Sequence, residues 1–298
     1  MTYDNHKNYN RYSYKNKKDV SSLVLRFIVQ AAAFVTISIL VVIVAFILIK
    51  GIPNISRELF EWEYTIGNVS MMPSIINTML MTLLTLLAAV PIGVGCAVYL
   101  AEYAKKGSRL VKLIRLTTQT LTGIPSIVYG LFGYLLFVIT LKWGYSLLAG
   151  AFTLAIMVLP VIVCTTEEAL LSVPDTFREG SFGLGAGRVR TIFRVVMPSA
   201  VPGILGGIIL AVGRIVGETA ALIFTAGTTA AVPGNLFSSA RTLAVHMYCL
   251  LGEGFYTNQA YATAVILLVV VLGINGFAGW AAGNLKVKKI GKQKRELH

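Results

Sequence analysis

Arg214 and Glu218 lie inside an apolar run, Val201–Ala226, that has the length of a bilayer crossing. One charged side chain near the bilayer centre costs at least about 2.5 kcal/mol even on the lenient insertion scale, so a membrane segment carrying two has a use for them. On a continuous helix the four-residue spacing puts both on one face, about one turn apart. Gly213 and Gly217 beside them form a G-x-x-x-G spacing that admits a neighbouring helix. The arginine fork offers donors matched to the oxygens of a phosphate-like anion, and a nearby glutamate would keep that anion from being held too tightly. The same two residues would also serve as an ion pair that fixes helix register, and their types and spacing leave both readings open. Arg214, Glu218, Gly213 and Gly217 are the candidate pathway residues.

The second chemically informative stretch precedes that run. From Glu167 to Pro198 the chain is polar, with an ordered middle. Pro174-Asp175-Thr176 reads as a turn with an N-cap candidate, and Thr176–Leu184 as one short helix. Gly183, Gly185 and Gly187 break it, because glycine tolerates the positive φ of a sharp turn. Arg188–Val196 predicts a second helix in which Val189, Ile192, Phe193 and Val196 recur at helical spacing, opposite Arg188, Arg190 and Arg194. Pro198 is expected to end it and start the next membrane helix. The glycines are not a phosphate cradle: GLGAG follows no strand, and G-x-x-x-x-G-K-[ST] is absent from the 298 residues.

These stretches need a scaffold, and the composition says which kind. The chain is 56% hydrophobic and only 13% charged, about half the charge of an ordinary soluble domain. Its apolar residues cluster into six runs: Leu23–Ile49, Ile75–Leu100, Leu121–Leu141, a shorter Leu147–Thr165, Val201–Ala226 and Tyr261–Ala282. Six transmembrane helices and an all-α membrane protein follow. The net charge of +13 is mostly topology. With the segments assigned alternately from an inside start, 21 of the 26 Lys and Arg fall on the inside and four (Lys50, Arg57, Lys142, Arg241) outside, which places both termini in the cytoplasm. What is left of the basic balance suits anionic lipid head groups and calls for no nucleic acid.

The organisation follows from those runs. Residues 1–22 predict a mobile cytoplasmic tail, 23–49 an anchor helix too long and too far from the start for a signal peptide, 75–284 the main transmembrane domain and 285–298 a basic cytoplasmic tail. In the second run Asn77, Thr78, Thr82 and Thr85 give one polar face, and Pro91 interrupts the helix. The third, GIPSIVYGLFG, reads as a kinked helix whose small-residue face serves packing. Residues 227–260 form the longest outside loop, with a re-entrant or interfacial helix around Ala240–Leu251. One outside cysteine, Cys249, supports no intramolecular disulfide framework.

Glu179, Gly185 six residues on and Pro198 thirteen after that resemble the EAA loop of type-I ABC-transporter permeases. Gly180 and Ser181 stand where that loop carries two alanines. The stretches GIPSIVYGLFG, LPVIVCTTEEAL, SVPDTFREGSFGLGA and AVGRIVGETAALIFTAG are similar to the phosphate-transport permeases of the superfamily, in their A-type branch, over about Ile75–Ala282. The resemblance implies a type-I importer permease fold whose loop residues Glu179, Gly180, Ser181, Gly185, Ala186 and Pro198 dock a cytoplasmic ATPase through a coupling helix. It also implies a heterodimer with a second homologous permease, two ATP-binding subunits, and an extracytoplasmic phosphate-binding protein that hands over inorganic phosphate. ATP and Mg would then sit on the ATPase partner, and this chain would bind no cofactor and no metal.

A permease for a related oxyanion and an ATPase-independent anion transporter or channel are the alternatives. A membrane enzyme is rejected. His6, His246 and His298 are scattered, and neither H-E-x-x-H nor a nucleophile elbow occurs.

Overall fold

The computed structural model describes residues 20–295 apart from residue 106, with side chains described for 23–280. The expected N-terminal tail, up to residue 19, lies outside the described residues. Every regular element among the described residues is helical, and the chain divides into two units, Met1–Ile47 and Leu48–His298. The first holds most of α1 (Val20–Gly51), an unbroken helix whose side chains are almost all exposed, as suits a segment of Val, Ile, Leu and Phe on every face.

The second unit is built on α2 (Met72–Val98), α5 (Leu147–Leu171) and α8 (Met197–Val216). Of the spans, α5 is the most enclosed, and α2 and α8 pack along it. Leu154, Val158 and Ile162 of α5 meet Met81 and Ala89 of α2 and Ala211 and Ile215 of α8 in one apolar core. Contact between α8 and α5 is close because α8 carries Gly203 and Gly207, one turn apart. A Cβ built on Gly203 would lie 2.6 Å from the Ala169 Cβ, and one on Gly207 would collide with Thr165. The working small-residue pair of this helix is therefore Gly203 and Gly207. By contrast Gly213 makes only an ordinary 3.8 Å approach to Asn275 of α11 (Thr257–Arg295), and Gly217 meets no other helix. The expectation that Gly213 and Gly217 form the close-packing spacing is corrected accordingly.

Among the described residues five helices are long and apolar enough to cross a membrane: Leu23–Asn54, Met72–Tyr103, Leu147–Leu171, Arg188–Val216 and Thr257–Trp280. The sixth is broken. The stretch α3 (Arg109–Thr122) and the segment Ser126–Thr140, whose first part is α4 (Ser126–Gly133), meet at 103°, so the kink expected in the third run is a sharp break near its start, between a helix that takes in the basic connection and one that holds most of the run. Gly123, Ile124 and Pro125 form the joint. Pro125 has no N–H to donate and pushes its predecessor out of the helical region. Pro91, Pro160 and Pro202 lie within helices that continue past them.

The polar face of α2 is consumed by packing. Asn77 Nδ2 donates to the carbonyls of Ala231 (2.9 Å) and Arg241 (3.1 Å). Thr78 Oγ1 accepts from the Leu243 N–H at 2.8 Å. The 227–260 loop they hold is also tied to the bundle by backbone bonds from Leu147 to Ser238 and Ala240 to Ala226. The short helix expected around Ala240–Leu251 is α10 (Leu243–Glu253). Its residues Leu243, Ala244, Val245, His246 and Leu250 are buried against protein, α11 and α2 included.

Candidate functional site

The helix bearing the charged pair stops between its two members. Gly217 caps α8, Glu218 N–H bonds back to the Ile215 carbonyl in a tightened last turn, and the chain restarts as α9 (Ala220–Thr225). Arg214 and Glu218 are therefore not one turn apart on one helix. Glu218, 9% exposed, uses Oε1 to accept from the N–H groups of Thr219 and Ala221, both at 3.2 Å, so its carboxylate caps the new helix. Ion pairs among the described residues join Arg115 to Glu167 and Arg178 to Glu102 and Asp175, and none joins Arg214 to Glu218. Arg214 is half-buried, and Tyr129 of α4 donates its hydroxyl to the Leu121 carbonyl at 2.8 Å. The result is an arginine with no carboxylate partner among the described residues, set beside two interrupted helices. Short-range pattern reading could not see this, because helical spacing presumes an unbroken helix.

The loop after α5 has the expected two helices, α6 (Asp175–Gly183) and α7 (Arg188–Thr191). Gly185 between them takes φ +77°, the left-handed turn that its residue type suggests. Pro198 does not end a helix. A π-helical turn over Ile192–Val196 carries α7 straight into α8, and Pro198 sits in the first turn of α8, where a missing N–H is tolerated. The expected apolar stripe divides: Ile192 and Val196 are buried with Ala97, Leu170 and Val173, whereas Val189 and Phe193 are exposed. Phe177, Phe182 and Leu184, the last 91% exposed, join them on the outside of the loop. An open cleft of about 730 Å³ runs along α7, lined by Gly185, Arg188, Val189, Phe193 and Arg194 among others. The two departures from alanine are accommodated: Gly180 stays helical, and Ser181 Oγ lies 2.8 Å from Thr191 Oγ1, tying α6 to α7. Glu179 is exposed and Ala186 half-buried.

Residues 89–283 match the family described as binding-protein-dependent transport system inner membrane component. The chain belongs to that family. The permease is 34% identical over 293 residues to the probable ABC transporter permease protein YqgI of Bacillus subtilis (strain 168), covering 92% of this chain and 99% of that one. It is 38% identical over 234 residues to the phosphate transport system permease protein PstA of Pasteurella multocida (strain Pm70), covering 77% and 82%. Among solved structures, the inward-facing MetNI methionine ABC transporter superposes with a TM-score of 0.60 over 71% of the permease and 94% of that chain, at 19% identity, a likeness of fold alone. The type-I importer architecture and the membrane location expected from the motifs are thus those of the permease.

One feature of the loop has no counterpart in the motif. Arg178, at the start of α6, reaches Glu102 in the π-helical turn Tyr99–Tyr103 that ends the α2 span. Its Nη2 lies 2.6 Å from Glu102 Oε1 and its Nε 3.2 Å from the same oxygen. The remaining donors go to the carbonyls of Leu170 (3.0 Å) and Val173 (2.7 Å) and to Asp175 (3.1 Å). The bond to Glu102 holds the Arg178 pKa above its ordinary value, against the opposing effect of burial. Arg188, at the start of α7, bonds the Glu102 carbonyl and stacks over the Tyr103 ring at 5.0 Å. A glutamate at the end of an apolar run carries no spacing signal toward an arginine 76 residues away, so the sequence pattern is silent on this contact.

Proposed function

We propose that this permease is one half of the membrane pore of an ATP-driven importer of inorganic phosphate. It would pair with a second homologous permease and with two ATP-binding subunits that carry ATP and Mg, and accept phosphate from an extracytoplasmic binding protein. The observation that carries this reading is the α6–Gly185–α7 loop, whose Phe177, Phe182, Leu184, Val189 and Phe193 leave an apolar knob exposed beside a basic cleft. Side chains of that kind on a polar loop call for a protein surface to cover them, and in this family the natural cover is a groove on the ATPase. On this reading the loop and both termini face the cytoplasm, in keeping with the Lys and Arg asymmetry.

Phosphate is supported by the naming of relatives such as the PstA of Pasteurella multocida and by Arg214, whose guanidinium forms no ion pair among the described residues and can present a fork of donors to an oxyanion. Arg214 is the contact made by the anion; Gly213 leaves space beside it, and Gly217 and Glu218 form the break that exposes it. Chemistry on ATP belongs to the partner, since this chain has no nucleotide-binding motif. The test is to purify the permease with its neighbouring subunits, place the complex in vesicles, and measure ATP-dependent uptake of labelled phosphate with phosphonate and sulfate as competitors. Uptake that persists without ATP, or that follows another oxyanion, would refute the corresponding part of the reading.

A further inference from the structure

The node at Glu102 suggests more than attachment. Both helices of the loop end on the same two residues: α6 through Arg178 on the Glu102 carboxylate, and α7 through Arg188 on the Glu102 carbonyl and the Tyr103 ring. Those residues lie in a π-helical turn, a local rewinding often found where a helix must yield. The partner segment Ile192–Val196 is a second π-helical turn, packed through Ile192 and Val196 into the apolar cluster that holds Ala97 and Val98 of α2. Above the turn, α2 is one continuous helix to Met72, and its far end holds the outer loop through Asn77 and Thr78. An unbroken path of bonded and packed groups thus runs from the loop to the opposite end of the bundle.

We propose that Glu102 is the positioning residue through which displacement of the α6–α7 loop is passed to α2 and so to the outer loop. The proposal rests on the reading of this loop as the ATPase-coupling element. The side chains of Glu102 and Arg178 are 8% and 15% exposed, so solvent screens their attraction little and the contact behaves as a stiff link. Without the carboxylate, Arg178 keeps its bonds to Leu170 and Val173, and Arg188 keeps its bond to the Glu102 carbonyl. The loop therefore stays on the bundle, anchored to the end of α5 and packed against α2, but the stiff carboxylate link from α6 to the α2 span is lost. A fastener alone would lose assembly; a transmission joint loses the link between hydrolysis and transport.

The assay is the number of phosphate ions taken up per ATP hydrolysed, measured on the complete reconstituted complex. Glu102→Gln should retain the ATP-binding subunits and go on hydrolysing ATP, while the ratio falls by about 10-fold or more. Arg178→Lys, which keeps the charge but loses the fork, should lower the ratio by a smaller factor. Asp175→Asn, which alters only an exposed partner of Arg178, should leave it unchanged. A wild-type ratio in Glu102→Gln overturns the proposal, as does absence of both Glu102→Gln and Arg178→Lys chains from the membrane, which would make the contact fold glue. If the wild-type complex itself shows no ATP-dependent phosphate uptake, the reading of the loop and substrate has failed, and the role of Glu102 falls with it.

Discussion

Gly185 separates a backbone effect from a packing effect, because its φ of +77° is left-handed while a Cβ built there would meet nothing within 4 Å. Any cost of substitution is then conformational. For an ordinary residue the left-handed region costs about 1–2 kcal/mol, and a β-branched side chain lies at or above the top of that range. Gly185→Val should therefore destabilise the turn by about 2 kcal/mol or more, which lowers the ratio of loops in the docking geometry to those outside it about 30-fold. Gly185→Ala should cost about 1 kcal/mol. Gly185→Asn should cost least, since asparagine visits this region readily. Gly183, whose φ is not positive and whose Cβ would also meet open space, is the control: Gly183→Ala should be neutral. The assay is retention of the ATP-binding subunits on a tagged permease across a dilution series, with chain level in the membrane measured alongside. Retention should fall in the order wild type, Asn, Ala, Val at constant membrane level. If Asn and Val variants are equally damaged, φ is not the cause; if Val retains its partners as well as wild type, the turn does not position the docking surface.

Three further outcomes are expected. Arg214→Gln should abolish most uptake, by at least about 100-fold as for a lost charge–anion contact, and because Glu218 caps α9 rather than pairing with Arg214, the double variant with Glu218→Gln should not recover. Recovery in the same uptake assay would restore the ion-pair reading. His246, in α10 and 0% exposed, has its pKa pushed down to about 4 by burial and then by Arg241, with a backbone hydrogen bond at Val69 opposing. Its folded pKa lies below its unfolded value, so the unfolded chain takes up more protons between about pH 6.5 and pH 4 and stability falls as pH drops through that window, by up to about 3 kcal/mol. Thermal unfolding of the purified protein should show this slope, and His246→Leu should flatten it. Finally, in a variant free of Cys96, Cys164 and Cys249, a cysteine replacing Ser56 should react with an impermeant thiol reagent added to intact cells and one replacing Ser108 should not; the reverse pattern would invert the topology.

The helical class and the approximate number of spans were legible in the residue order because they depend on local quantities. Six apolar runs, with 21 of the 26 cationic residues concentrated in every second connecting or terminal segment, need no tertiary information, since a bilayer accepts a run or rejects it largely on its own composition. The left-handed turn at Gly185 was legible for the same reason: glycine flanked by glycines between two amphipathic stretches has few other uses. Tertiary structure decided what depends on partners far away in the chain. Periodicity treated Val201–Ala226 as one helix and paired Arg214 with Glu218, but Glu218 gains two backbone donors by ending α8 and starting α9, and only the packed bundle makes that exchange favourable. Spacing chose Gly213 and Gly217 as the close-approach pair, whereas the neighbour that needs room, α5, presents Thr165 and Ala169 to Gly207 and Gly203. The bond of Arg178 to Glu102 joins residues 76 positions apart, and no local pattern encodes which buried carboxylate an arginine will meet when the end of one span folds back against the loop that follows another.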